Sequence, residues 1–485
     1  MTRLSVLAIV ALTIVLVPCQ LATASTPEID RVIRTINNAS TIDALDRNKS
    51  YAVLFDAYIE LDEPPMEVGP QFNLRTIHPG MPDWIAVSGW AEGNQEMAEA
   101  IREAETRTVF GLPYGRENVE RDYRDADLVV LVGVNDTLRN IEFRYLDAID
   151  TIAAFATAES YRLHEAGRHE DGLDMTLAMA FILRQIADRD FMYEKERAIT
   201  LLTNALSILR DQMYAYLEDI PEEKYFEIAQ KRLPFLRPGR GALFMPEADY
   251  EVAKGLLDEV FGENEQPDRE AFAEAFAGIQ SAEKPLTRFG AAKRWKILGD
   301  VHDSKQLSLE RLKLIYDDWW RRWRIQEYDP ILDVPTQLER TNPIRYAAVV
   351  YSIRDLESLF GARNRLIVAV NGTAASSGLC GYRKTYGTYP ANIQSAYSAF
   401  FRKSNDRDFF DEELAPFGYR VLDQRFRVDT PEGQVWLEPG QCILYSVGRD
   451  KESDRGSEHT PDGELGDLVI WPPMRAVQRE AGLRE

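Results

Sequence analysis

Histidine and cysteine are scarce in this chain, with five of the first and three of the second among 485 residues. So few imidazole and thiolate donors leave little room for a zinc or iron–sulfur framework, whose ligands recur at short fixed spacings. His78, His302 and His459 have no neighbouring ligand pattern. The segment "HEAGRH", His164 to His169, is one residue longer than the His-Glu-x-x-His of metalloproteases. A spacing of five turns the second imidazole roughly 140° away on a helix, and Gly167 reads as a turn. A nucleophile elbow of the Gly-x-Ser-x-Gly type is missing too, since "SSGLCGY" lacks the second glycine at the required offset. Nor does a phosphate-binding glycine loop follow a strand. An excess of positive charge is also lacking: 57 basic against 79 acidic residues give −22, a field that repels phosphate backbones and anionic headgroups. Nucleic acid is excluded as a partner on that ground. Beyond the N-terminus no run is apolar enough to span a bilayer.

What the chain does carry is the composition of a folded protein of two or three domains, 45% hydrophobic and 10% aromatic. Its start reads as a signal peptide over 1–24: Arg3, the apolar run Leu4 to Val17, and Ala22-Thr23-Ala24 before a cleavage at Ser25. The run is shorter than the roughly 20 residues of a spanning helix, so a retained membrane anchor is the weaker alternative. Pro18 before Cys19 disfavours lipid modification. The expected location is extracytoplasmic, periplasmic or secreted. Cleavage leaves Cys380 and Cys442, an even pair that an oxidising compartment invites into a disulfide; two buried thiols are the other reading.

Along the mature chain, 25–125 reads as an N-terminal helical region interrupted by Pro/Gly-rich loops between Pro64 and Pro82, with helical text from about 28 to 60 and from Asp83 to Ala104. Residues 126–340 read as a helical bundle, with consecutive amphipathic helices over 126 to 214. One hairpin turning at Gly167 resembles a single tetratricopeptide unit, without the repetition a solenoid needs. "DDWWRRWR", 317 to 324, mixes aromatics and arginines, and reads as a helix that packs Trp319 and Trp323 while its arginines pair with acids. Proline and asparagine punctuation near 328 to 345 marks a boundary. Beyond it, 341–485 reads as a long helix through Cys380 followed by strands at Tyr419 to Val428, Val435 to Leu437 and Cys442 to Val447, joined by tight turns into an antiparallel meander. The fold class is therefore α+β: a mainly α-helical bundle followed by a long helix packed on a small antiparallel sheet.

Between two strand-like runs near the end lies "YSVGRDKESDRGSEHTPDGELGDLVIWP". Calcium takes six to eight oxygens from carboxylates and backbone carbonyls. Asp450, Asp454, Asp462 and Asp467, with Gly456, Gly463 and Gly466 to turn carbonyls inward, offer such donors. A hydrated acidic loop offset by Arg449, Lys451 and Arg455 is the plainer reading. The alternating aspartates of an EF-hand are absent.

Taken in order, the long helix, Gly387-Thr388-Tyr389-Pro390, the small sheet, Ser446-Val447-Gly448-Arg449-Asp450 and Gly466-Asp467-Leu468 resemble the globular module of the major pseudopilins of type II secretion. The resemblance covers about a quarter of the chain. It implies a calcium-binding loop, with Asp450 and Asp467 as principal ligands, a carbonyl from Ser446, Val447 or Gly448, and one or both of Asp454 and Asp462 completing the set. The calcium would be structural. The module here follows some 300 residues of helices and an ordinary secretory signal, unlike a filament subunit. The helical remainder resembles uncharacterised exported bacterial proteins, which implies no activity. The expected function is a non-enzymatic scaffold or interaction protein with an unknown protein partner. A component associated with a type II secretion or pilus-like apparatus is the alternative, and an enzyme with an unrecognised site in the helical region stands third.

Overall fold

Four long helices laid against one another make the centre of the chain in a computed structural model that describes residues 26–39, 44–65, 74–233, 243–262, 264–277, 288–325, 330–457 and 466–483. The expected signal peptide, 1–24, and the loop residues Asp462 and His459 lie outside the described residues. The helices are α1 (Pro27–Ala39), α2 (Tyr51–Ile59), α3 (Trp84–Gly93), α4 (Gln95–Glu105), α5 (Arg121–Asp125), α6 (Tyr145–Glu165), α7 (His169–Ala187), α8 (Met192–Ala215) and α9 (Glu222–Glu227). They continue as α10 (Ala248–Val260), α11 (Arg269–Phe276), α12 (Arg288–Val301), α13 (Lys305–Arg322), α14 (Ala347–Ser352), α15 (Leu356–Tyr386) and α16 (Met474–Glu480). Strands are β1 (Val130–Val132), β2 (Ile141–Phe143), β3 (Gly418–Val421), β4 (Phe426–Thr430), β5 (Gly433–Leu437), β6 (Cys442–Ser446) and β7 (Leu468–Trp471).

Helix α6 is buried almost all round, and its alanines 153, 154, 156 and 158 let neighbours approach closely. It packs on α7, α7 on α8, and α8 on α15. Gly167, at φ 73°, makes the α6–α7 turn, the left-handed conformation that favours glycine. A polar ladder ties these helices: the Ser160 hydroxyl donates to the Gly172 carbonyl at 2.6 Å, and Gln212 Nε2 donates to Ser160 Oγ at 2.7 Å. Buried Glu194 gathers the N-terminal region onto α8, accepting from Tyr114 Oη at 2.9 Å, Tyr145 Oη at 2.6 Å and Arg189 Nε at 2.5 Å. Each such bond matters because a charge this enclosed is costly unless fully satisfied.

The expected helical elements differ in three places. The text from 28 to 60 forms two helices, α1 and α2, and the text from 83 to 104 forms α3 and α4 broken at Asn94. Asn94 Nδ2 donates to the Trp90 carbonyl at 2.8 Å and its Oδ1 accepts from the Asp62 N–H at 3.0 Å, so the side chain competes with the helix backbone. Ahead of α6, β1 and β2 pair as an antiparallel hairpin within the stretch expected to be wholly helical.

The C-terminal strands do not form the expected consecutive meander. The run from Tyr419 to Val428 splits into β3 and β4, and the three-stranded sheet has the order β3-β6-β7, all antiparallel. β4 and β5 form a separate hairpin inserted between β3 and β6. Alternation along β6 explains the layering: Cys442 and Leu444 join the main core, while Ile443 faces a second cluster with Val428, Val435, Leu437, Val469 and Val477. The sheet thus has α15 on one face and the hairpin with α16 on the other. Gly372 of α15 permits the close approach, since a Cβ there would lie 2.6 Å from Ile470 Cδ1.

The protein is accordingly mainly helical α+β with small antiparallel sheets near its C-terminus. Trp319 and Trp323 are buried, Arg322 donates to Asp318 at 3.1 Å, and the Trp323 indole donates to the Leu243 carbonyl at 2.7 Å, a packed helix as the segment's spacing implies. Among the described residues, no helix is long and apolar enough to cross a membrane.

Candidate metal centre

β6 ends at Ser446, and the way the chain leaves it is fixed from outside the loop. The Asp408 carboxylate accepts from Ser446 Oγ and from the Val447 N–H, each at 2.8 Å, while Oδ1 also accepts from the Phe410 N–H at 3.0 Å. Ser446 Oγ accepts in turn from the Gly448 N–H at 3.3 Å. The Ser446 hydroxyl is therefore committed to Asp408, which leaves only the carbonyls of Ser446 and Val447 as donors to an ion. Asp408 was not singled out from the sequence. Its visible signal is the local turn of "DRDFF", where an aspartate two residues before an N–H closes an Asx turn.

The loop then doubles back through residues with positive φ: Gly448 at 73°, Lys451 at 66°, Arg455 at 59° and Gly456 at 89°. Two carboxylates bind its ends together. Asp450 accepts from the Gly466 N–H with one oxygen and, at 3.2 Å, from the Glu452 N–H with the other. Asp467, fully buried, accepts from the Gly456 N–H through Oδ2, and its own N–H donates to the Ser457 carbonyl at 3.0 Å. Asp467 Oδ1 is buried with no hydrogen-bond partner among the described residues. Burial first, then the charges of Asp454 and Asp450, push the Asp467 carboxyl up to about 6, against the pull of N–H bonds from Gly456 and Asp454.

Asp450, Asp454 and Asp467 are thus brought into one loop, with Asp467 fully enclosed. Among the described residues no three His, Cys, Asp or Glu side chains converge as a metal-binding group. A cation here would draw on the orphaned Asp467 oxygen, an oxygen of Asp450 and backbone carbonyls, the hard oxygen donors that suit calcium and not zinc.

Cys380 and Cys442 depart from the expected disulfide. Both are buried free thiols. Cys380 sits on α15 and Cys442 at the start of β6, and burial pushes both thiols up, Cys380 further by its nearness to Cys442. The Cys442 sulfur is instead engaged with the Tyr419 hydroxyl, which donates to the Pro390 carbonyl at 2.7 Å. They act as small apolar side chains of the helix-to-sheet core.

His164 and His169, which helical spacing alone would separate, meet across the Gly167 turn. Their Nδ1 atoms are 3.2 Å apart, and the His164 ring stacks on Tyr216 at 4.4 Å. Burial and the neighbouring His169 lower His164 to about 3, so that ring is neutral. The stack and the imidazole pair fill the base of the α6–α7 hairpin.

No protein-family model, curated protein or solved structure matches the chain.

Proposed function

We propose that the protein is an extracytoplasmic, non-enzymatic scaffold or interaction protein whose C-terminal helix-on-sheet module is of the pseudopilin kind and is stabilised by calcium. The observation that carries this reading is the buried Oδ1 of Asp467, which has no hydrogen-bond partner among the described residues, in a loop where Asp450 and Asp454 add negative charge. A buried carboxylate oxygen without a donor costs stability that a bound cation returns. Support also comes from the order of elements along the chain: α15, Tyr389-Pro390, the sheet, the loop from Ser446 to Asp450, and Asp467 before β7. Calcium would tie the loop ends onto β6 and β7. The role would be structural: Asp450 and Asp467 hold together the two ends of the loop, where the chain leaves β6 and enters β7.

Thermal melts test it. In millimolar calcium the melting temperature rises relative to chelator, and Asp450→Ala and Asp467→Ala lose that response; a melt indifferent to chelator in the native chain removes the proposal. Association with a type II secretion or pilus-like apparatus is the second reading, favoured by the same sequence order. Copurification of secretion components with the full chain supports it, and a chain recovered without them speaks against it.

A further inference from the structure

Away from the acidic loop, α1, α10 and α13 enclose a cleft of about 320 Å³, within the range of small-molecule sites. Its walls are aromatic and aliphatic: Ile36, Met245, Tyr250, Tyr316 and Trp320. Tyr250 and Tyr316 stand with ring centroids 4.9 Å apart. The Tyr316 hydroxyl is buried and makes no hydrogen bond among the described residues. These rings lie in cationic company already, with Lys254 Nζ 5.3 Å from the Tyr250 centroid and Arg324 Cζ 3.3 Å from that of Trp320.

The charges around the cleft are unequal. Asp190, Glu247, Glu251 and Asp317 line it against one cation, Lys313. Lys313 pairs with Asp317 at 2.5 Å, and Glu251 pairs with Lys254 at 2.9 Å. Among the described residues, the carboxylates of Asp190 and Glu247 form no contact ion pair; Lys195 and Arg189 act on the Asp190 charge from behind, while their own short contacts go elsewhere. Arg189 binds Glu194, and Lys195 Nζ donates to the Ala187 carbonyl at 3.2 Å. Two like charges thus line one apolar cavity without a contact ion pair among the described residues, Lys195 and Arg189 being the cations that act on Asp190.

We propose that this cleft binds a small organic cation, an ammonium carried on an apolar or aromatic stem. The stem would lie along Tyr250, Tyr316 and Trp320, and the ammonium would sit between Asp190 and Glu247. Ring faces attract such a cation electrostatically, and the half-buried Asp190 together with the exposed Glu247 adds an attraction that is strongest at low salt.

The test is calorimetric titration of the full chain with phenethylamine and with its neutral counterpart 2-phenylethanol. The amine is expected to bind one site per chain at least tenfold more tightly than the alcohol at low salt, with the advantage shrinking as salt screens the carboxylates. The double variant Asp190→Asn, Glu247→Gln brings the amine to the level of the alcohol, whereas Trp320→Ala weakens both. Should the double variant fail to fold, Glu247→Gln alone, at an exposed position, is expected to cost about threefold for the amine and nothing for the alcohol. Equal binding of amine and alcohol, no binding of the amine, or folded variants that bind it as the native chain does would each overturn the proposal.

Discussion

Asp467→Asn takes the charge from a fully enclosed point of the acidic loop while keeping an oxygen to accept from Gly456. In the native chain the carboxyl is held at about 6 instead of its ordinary 3.8, chiefly by burial. A carboxyl raised on folding binds its proton more tightly in the native state than in the unfolded one. The native state is therefore favoured at low pH and loses that advantage as pH rises from 3.8 through about 6. A rise of about two units corresponds to about 3 kcal/mol once the group is charged. For a chain of this length the unfolding entropy is roughly 1 kcal/mol/K, so the effect reads as about 3 °C in melting temperature. Burial also raises Asp150 and Asp406 to about 6 and Glu259 to about 7, so the native melting curve alone is a composite. The difference between Asp467→Asn and the native chain isolates one group. Without divalent ions that difference is near zero at pH 4 and favours the variant by about 3 °C at pH 7. Calcium reverses the order: the native chain gains, more at pH 7 than at pH 5 because protons compete for the same oxygen, and the variant does not. A difference that is flat with pH and identical in calcium and chelator would refute the reasoning.

Four further outcomes follow from the packing. Gly372→Ala sets a Cβ 2.6 Å from Ile470 Cδ1 and is expected to destabilise by about 1–2 kcal/mol, overpacking outweighing the helix propensity of alanine. Gly361→Ala on the same helix meets nothing nearer than Arg365 Nη1 at 3.8 Å and should stabilise by up to about 1 kcal/mol, both read from denaturant midpoints. Asp408→Ala leaves the buried Ser446 hydroxyl and the Val447 N–H without their acceptor, which costs about 2–3 kcal/mol and lowers any calcium-induced rise in melting temperature; an unchanged midpoint would deny Asp408 its part in the loop. Thiol titration of the unreduced mature chain should find Cys380 and Cys442 silent when folded and both reactive in denaturant, while no reactive thiol in denaturant would restore the bridge.

Much of this architecture is local and was therefore legible. The α6–α7 hairpin announces itself through helical periodicity and Gly167, and α15 through a run of small and apolar residues ending at Gly387, whose φ of 78° caps it. The β-region was legible as strands but not as a sheet. Turn residues locate hairpins, yet the pairing of β3 with β6 depends on which faces of distant segments are apolar, and the β4–β5 hairpin between them hides that partnership. Asn94 and Asp408 were overlooked for a shared reason. Each acts through a hydrogen bond to backbone remote in sequence, Asp62 in one case and Val447 in the other, and periodicity carries no trace of such bonds. For the loop itself, composition offers Asp450, Asp454, Asp462 and Asp467 alike, and only the pseudopilin resemblance sets Asp450 and Asp467 apart. That Asp467 is fully enclosed and Asp450 exposed came only from the fold, because burial of a loop carboxylate is decided by what packs over it.

The most direct measurement is a crystal structure of the mature chain grown in millimolar calcium. One ion is expected at about 2.3–2.6 Å from Asp467 Oδ1, with an oxygen of Asp450 in the same shell and carbonyls of the loop completing it. Density showing Asp467 Oδ1 bonded to water or to a backbone N–H, with no ion in the loop, would contradict it.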